Sequence, residues 1–345
     1  MLYKVMDKKD YKDFVSGLLS DYKLIGPKKI NEAVHDFVQI KSFEEIDTSY
    51  KKTTLPPAKK LLFPSTEELV KYKLNEQIEI TSVLDTEEMV LFGINAWDIN
   101  GMNFLDRLFT TDFIDDNYIA KRKNLIVIGV DTEPSETNFA LEMGAEYAKS
   151  GFDLFMTEMQ DKYFIRVATA RGEELLKKYA KGTNVAASDA DFAEYDKVME
   201  EYRKKFKVKV EIESFYDCFE AKYDNKQLWE KISDSCFSCG SCNLVCPTCF
   251  CFNVKDDMNL DLKTGMKSRE WDSCMIPDYG LVAGGHNFRP NRANRLKQRY
   301  RCKLKTYLDK FGSYSCVGCG RCVEACLAKI NIYEDINTIK EEVSL

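Results

Sequence analysis

Histidine is nearly missing from this sequence: the 345 residues include two, His35 and His286. That scarcity disfavours zinc enzymes, haem proteins with histidine ligands and triad hydrolases, all of which lean on imidazole. No apolar run reaches the roughly 18 residues that a membrane helix needs, and the N-terminal MLYKVMDKKDYKDF has no stretch like the apolar core of a signal peptide. The chain is therefore expected in the cytoplasm and away from the membrane. A Gly-x-Gly-x-x-Gly turn after a strand and a phosphate-binding loop are both lacking, so flavin or nicotinamide is expected on a partner. The net charge of −6 and the lack of a convincing helix-turn-helix argue against nucleic acid as a partner and against a transcriptional regulator. The first 217 residues contain no cysteine at all.

The remainder contains 13 cysteines, 12 of them between Cys236 and Cys326, with Cys218 just ahead. A reducing cytosol makes a disulfide scaffold a poor use for them, and metal binding the better one. The change in composition also marks a boundary, placed near residue 225 in the polar stretch that begins at Tyr223. The fold class that follows is α+β in two domains. Residues 1–225 form an N-terminal α/β docking domain, and residues 226–345 a mostly α-helical, ferredoxin-like domain for two or three 4Fe-4S clusters. In the first domain, residues 90–94 and 124–131 are short apolar runs that read as buried strands. Between them Ile99, Met102, Leu105 and Leu108 recur at helical spacing over 98–109, which predicts a strand–helix–strand unit. Further strands are expected at 153–157 and 162–168, and helices at 173–179, 190–205 and 293–308.

Cys236-x-x-Cys239-x-x-Cys242-x-x-x-Cys246-Pro247 has the spacing of the bacterial ferredoxin run, and Cys316, Cys319, Cys322 and Cys326 repeat it. Three thiolates in one tight loop take three corners of a cubane. The fourth, one helical turn on, points towards the neighbouring cluster. The first cluster is therefore assigned Cys236, Cys239, Cys242 and Cys326, and the second Cys316, Cys319, Cys322 and Cys246. Zinc pairs do not favour this triple spacing followed by proline, although Cys326 is followed by Leu327. Gly240, Ser241, Gly318 and Gly320 suit backbone lying close to a cluster. Cys249, Cys251, Cys274 and Cys302 would supply a third 4Fe-4S cluster, against the alternative of buried structural thiols. His286 is an alternative fourth ligand, and Cys218 reads as a core thiol. Eight basic residues between Arg289 and Lys305 (Arg289, Arg292, Arg295, Lys297, Arg299, Arg301, Lys303, Lys305) would offset cluster charge or form a solvated helix face.

These motifs resemble those of one family, which comprises the A component of anaerobic sulfite reductases and the beta subunit of cytoplasmic sulfhydrogenases. The resemblance rests on Cys246-Pro-Thr-Cys-Phe-Cys251, Trp271-Asp-Ser-Cys274, Ala283-Gly-Gly-His286 with the following Asn287-Phe-Arg-Pro290, and Cys316-Val-Gly-Cys-Gly-Arg-Cys322. In the first domain it extends through Leu61-Leu-Phe-Pro64 and Phe92-Gly-Ile-Asn-Ala-Trp-Asp98, with Leu105-Asp106 beyond. It implies an electron-transfer subunit without a substrate site of its own. Such a subunit works between an FAD- and NAD(P)H-binding, ferredoxin-reductase-like subunit with its own iron–sulfur centre and a catalytic subunit. The catalytic partner it implies first is a sirohaem sulfite reductase, with a cytoplasmic NiFe (sulf)hydrogenase as the alternative. Relatives commonly carry cysteine where Trp97 stands, so that position is not expected to be a ligand here. A different use of the same cysteines is a self-contained reductase, with the third cluster open to substrate.

Overall fold

The structure, a computed structural model, describes residues 1–32, 34–180 and 185–341. By compactness the chain divides into two units. One comprises Met1–Ala58, Asp85–Glu136 and Gly144–Lys207, and the other Lys59–Leu84, Thr137–Met143 and Val208–Leu345.

The first unit is built on an eight-stranded mixed sheet. Its strands run in the order Val185–Ala186, Leu2–Asp7, Lys162–Val167, Leu154–Glu158, Leu125–Val130, Met89–Ile94, Lys23–Asn31 and Val34–Gln39. The four central strands from Leu154–Glu158 to Lys23–Asn31 pair in parallel. Leu125–Val130 is buried at all six positions, as a central strand covered on both faces must be, which explains its unbroken apolar sequence. The helix Ala96–Thr111 follows the strand Met89–Ile94 directly. It begins where the Asn95 side chain accepts the Asp98 N–H at 2.9 Å and so satisfies one of the free donors of the first turn. Trp97 lies inside this helix, 1% exposed, with its ring against Phe206. The helices at Ala170–Tyr179 and Asp189–Lys204 complete the elements legible in this half of the sequence.

The second unit departs from the expected mostly helical character. Helices Phe215–Lys222, Lys226–Ser233, Arg292–Arg301 and Ile332–Glu341 do pack Phe215, Phe219, Trp229, Leu296, Tyr300 and Ile336 into one core. Beside them stands a four-stranded antiparallel sheet in the order Phe252–Met258, Thr264–Trp271, Thr66–Leu74, Ile78–Ser82. The hairpin hides from sequence reading because all seven residues of Phe252–Met258 are exposed. A strand with no buried face leaves no period-two apolar signature. A single cut at 225 also differs from this grouping, since Lys59–Leu84 and Thr137–Met143 come from the cysteine-free half.

The two halves of the sequence are joined inside this sheet by a buried ion pair. Glu67 and Arg269 lie on adjacent strands with side chains 9 and 3% exposed, and their nearest oxygen and nitrogen are 2.6 Å apart. The Arg269 guanidinium also lies 4.7 Å from the centroid of the Phe63 ring. Removing one partner leaves a buried charge without its counter-ion, which costs about 3 kcal/mol or more. Glu67→Ala should therefore lower the stability of this unit by about 3 kcal/mol, read as an earlier urea-unfolding midpoint. A midpoint within error of wild type would mean that the pair does not hold the sheet.

Candidate iron–sulfur centre

Twelve cysteines surround three cavities in the second unit. Cys236, Cys239, Cys242 and Cys326, the set that spacing assigns to the first cluster, all line one cavity. Cys246, Cys316, Cys319 and Cys322 line another, and Cys249, Cys251, Cys274 and Cys302 line the third. Cys322 borders the first cavity as well as the second, and Arg299 borders all three. His286 is exposed, with its ring against Phe288, and lies outside the third cavity. Cys218 is half-buried on the helix Phe215–Lys222 rather than in the core, and lines none of the three.

Local geometry explains how each set assembles. Gly240 and Gly320 stand at φ 79° and 76°, each just before a single helical turn, Ser241–Leu244 and Arg321–Glu324. The left-handed glycine reverses the chain so that the cysteines before and after it turn to one side. Ser241 holds the Cys239 sulfur at 3.3 Å through its hydroxyl, and this contact keeps the Cys239 thiol below its ordinary pKa. Backbone N–H groups also reach sulfur: Ser238 donates to Cys236 Sγ at 3.4 Å and Ile330 to Cys326 Sγ at 3.3 Å. Gly240 lines the first cavity and Gly318 and Gly320 the second, and the last two also make room for a neighbouring segment. A Cβ on Gly318 would lie 2.5 Å from the Phe139 carbonyl, and one on Gly320 2.5 Å from the Thr137 carbonyl. The close approach is made by the recruited segment Thr137–Met143.

The third cavity is held by the motifs of the resemblance. Asn243 Nδ2 donates to Ser273 Oγ at 3.0 Å and to Cys274 Sγ at 3.1 Å. Trp271 Nε1 donates to the Phe63 carbonyl at 2.8 Å, and the two rings stack. Leu61-Leu-Phe-Pro64 and Trp271-Asp-Ser-Cys274 thus meet, although some 200 residues separate Phe63 from Trp271. Cys302 opens a π-helical turn, Cys302–Thr306, a local widening often found at functional positions. Its sulfur accepts from Gln298 Nε2 at 3.1 Å.

The basic segment is helical, and four of its cations are buried: Arg295, Arg299, Lys303 and Lys305. Lys305 is paired with Asp309 at 2.7 Å, whereas Arg295 donates to Ser238 Oγ, between two cysteines of the first cavity, at 3.0 Å. Burial pushes the Cys242 thiol up to about 11 and the Cys316 thiol up to about 12. A thiol in such surroundings becomes a thiolate when a metal takes its charge. Cys246 is held down instead, first by a hydrogen bond from Cys249 and then by Lys303 and Arg299 against the effect of burial. Among the described residues, no three His, Cys, Asp or Glu side chains are placed to hold a single metal ion. A lone zinc, with Zn–S of about 2.3 Å, would draw its sulfurs together. Thiols spread round a cavity fit the larger four-iron cubane.

Twelve thiols round three cavities, Cys322 bordering two of them, with N–H donors and buried cations beside them, define an iron–sulfur protein. Residues 235–330 match the family of 4Fe-4S dicluster domains. Over 341 residues, 99% of each chain, the sequence is 32% identical to sulfhydrogenase 2 subunit beta of Pyrococcus furiosus. The chain belongs to this family of sulfhydrogenase beta subunits and is an iron–sulfur electron-transfer subunit with 4Fe-4S clusters. No helix among the described residues is long and apolar enough to cross a membrane.

Two glycines separate close approach from backbone strain. Gly312 has φ 68° and open space around its missing Cβ, while Gly318 has φ 65° and the Phe139 carbonyl in the way. Gly312→Ala should cost about 1 kcal/mol, the left-handed penalty alone. Gly318→Ala should cost clearly more and lower the iron bound per chain, as measured by urea unfolding and iron analysis. Equal losses in the two variants would remove the packing role assigned to Thr137–Met143.

Proposed function

We propose that this chain relays single electrons through three 4Fe-4S clusters between a flavin subunit and a catalytic subunit. The flavin subunit binds FAD and NAD(P)H, resembles ferredoxin reductase and carries its own iron–sulfur centre. In this reading Cys236, Cys239, Cys242 and Cys326 hold the first cluster, Cys316, Cys319, Cys322 and Cys246 the second, and Cys249, Cys251, Cys274 and Cys302 the third. The observation that carries it is the grouping of the twelve cysteines into three sets of four, each round its own cavity, with Arg299 common to all three. Bound cubanes supply one-electron carriers, with no bond made or broken on transfer. The protein supplies ligands, donors to sulfur and exclusion of water.

The first cavity is the natural port. Cys239 is exposed, and Phe237 and Leu327, which line the same cavity, are 69 and 76% exposed. Cys246, Cys249 and Cys274 of the other two are buried. Four thiols round the third cavity favour a closed cluster over one with an iron left open for substrate. The name of the relative favours a NiFe sulfhydrogenase as the catalytic partner. The motifs shared with anaerobic sulfite reductases support a second reading, with a sirohaem subunit in that place. The cysteine-free unit is assigned to docking, and the complex to the cytoplasm.

Purification of the complex without oxygen tests both levels of this reading. The chain should carry about twelve iron atoms, four for each cubane, and Cys274→Ala should remove about four of them. About eight in the wild type would eliminate the third cluster. Nickel without sirohaem would establish the hydrogenase complex, sirohaem without nickel the sulfite reductase, and neither would exclude both.

A further inference from the structure

Among the described residues, three cations in the cluster-bearing unit are buried without a salt bridge to a carboxylate. Arg299, Lys303 and Lys59 are 4, 4 and 3% exposed, and their hydrogen bonds go to neutral oxygens. Arg299 donates to Asn243 Oδ1 at 3.0 Å and to the Cys242 carbonyl at 3.4 Å. Lys303 donates to Thr248 Oγ1 at 2.7 Å, and that hydroxyl lies 3.4 Å from Cys246 Sγ. Lys59, nearly 190 residues away in sequence, reaches the carbonyls of Asn243, Leu244 and Cys246 at 3.2–3.4 Å. Its ammonium also sits 4.0 Å from the centroid of the Trp271 ring. Among the described residues none of the three forms a salt bridge, whereas Lys305, two positions beyond Lys303, has Asp309 at 2.7 Å. A charge taken out of water without a counter-ion is unfavourable. The anions that act most strongly on these three are cysteine sulfurs, with the Asp335 carboxyl a further neighbour of Arg299.

Their placement is uneven. Arg299 lines all three cavities, while Lys303 lines the second and third and not the first. Lys59 caps the carbonyls that lead into Cys246, a cysteine of the second cavity. A cubane held by four thiolates carries net negative charge, and reduction adds one electron more. A fixed cation nearby favours the reduced form and raises the potential.

We propose that the counter-ions of Arg299, Lys303 and Lys59 are the iron–sulfur clusters themselves, and that Lys303 raises the reduction potentials of the second and third clusters relative to the first. The inference rests on the three-cluster assignment above. The guanidinium of Arg299, charged at any pH the protein meets, acts on all three clusters and sets their common level. Lys303 creates the difference between the port and the interior. Lys59 ties this arrangement to a segment of the chain that contains no cysteine.

The test is a redox titration of the intact complex, followed by electron paramagnetic resonance, in wild type and in Lys303→Met, Lys303→Arg and Arg299→Gln. Lys303→Met should lower two of the three midpoint potentials and move the third least, while Lys303→Arg should keep all three near wild type. Arg299→Gln should lower all three. Unchanged potentials in a cluster-replete Lys303→Met protein, or equal shifts of all three, would overturn the proposal. Should Lys303→Met lose clusters that Lys303→Arg retains, charge is what the site requires and the counter-ion role stands. Equal loss in both would show that shape matters and not charge. Iron content keeps the two readings apart. With about eight irons in the wild type the third cluster fails by itself, and the cation role is then decided by whether Lys303→Met lowers one of the two remaining potentials.

Discussion

Four thiolates round an iron–sulfur cubane carry more negative charge than the irons cancel, and holding that excess out of water is the constraint on which the cluster-bearing unit depends. Negative charge in a medium of low dielectric must be met by donors and cations that are themselves fixed. The chain meets it at several distances. Backbone N–H groups and the Ser241 hydroxyl lie against the sulfurs. Farther out, Arg295 and Arg299 stand four residues apart on one side of the helix Arg292–Arg301, and Lys303 follows in the π-helical turn Cys302–Thr306. A solvated basic face would have left these side chains in water, and here they are buried.

Satisfying that constraint takes more chain than the cysteines themselves occupy. Lys59, Phe63 and Glu67 come from the cysteine-free half and pack on Trp271 and Arg269. Thr137–Met143 lies so close to the second cysteine run that Gly318 and Gly320 have no room for a side chain. A cubane needs a wall on every side, and two loops of ferredoxin spacing do not wall three cavities. Phe139, from the segment 137–143, lines the second cavity, and Lys59 and Phe63 pack on Trp271, just ahead of Cys274.

What the sequence revealed and what it hid follow from the same physics. The strands at Met89–Ile94 and Leu125–Val130 and the helix between them were legible because burial on both faces, or along one stripe, writes a period into the sequence. The grouping of Cys236, Cys239, Cys242 and Cys326 round one cavity was legible because local spacing fixes the first three and the exchange of fourth cysteines between paired ferredoxin runs supplies the last. The third set has no such spacing. Its members come together through the Asn243–Ser273–Cys274 hydrogen bonds and the turn at Cys302, contacts that no periodicity encodes. The hairpin's first strand, Phe252–Met258, was missed for the opposite reason: it is exposed along its length and held by its ladder to Thr264–Trp271. Lys59 gave no signal at all. A lone lysine ahead of Lys60 and two leucines looks like any surface helix, and its meaning appears only once the chain has brought it back to Trp271.

The division of cysteine between the units also limits how the chain can work. Every thiol that lines one of the three cavities belongs to the second unit, and Trp97 fills its place in the first unit with a buried ring against Phe206. The electron path proposed for this chain is therefore confined to one unit. It runs from the exposed edge at Cys239, past Arg299, to cavities in which Cys246, Cys249 and Cys274 are buried and the other five cysteines half-buried. The most exposed cysteine on this path, Cys239, stands at one end of it. An electron carried along it must leave either where it entered or where a partner covers the sheltered side near Cys302, so the complex, and not this chain by itself, decides the direction of flow.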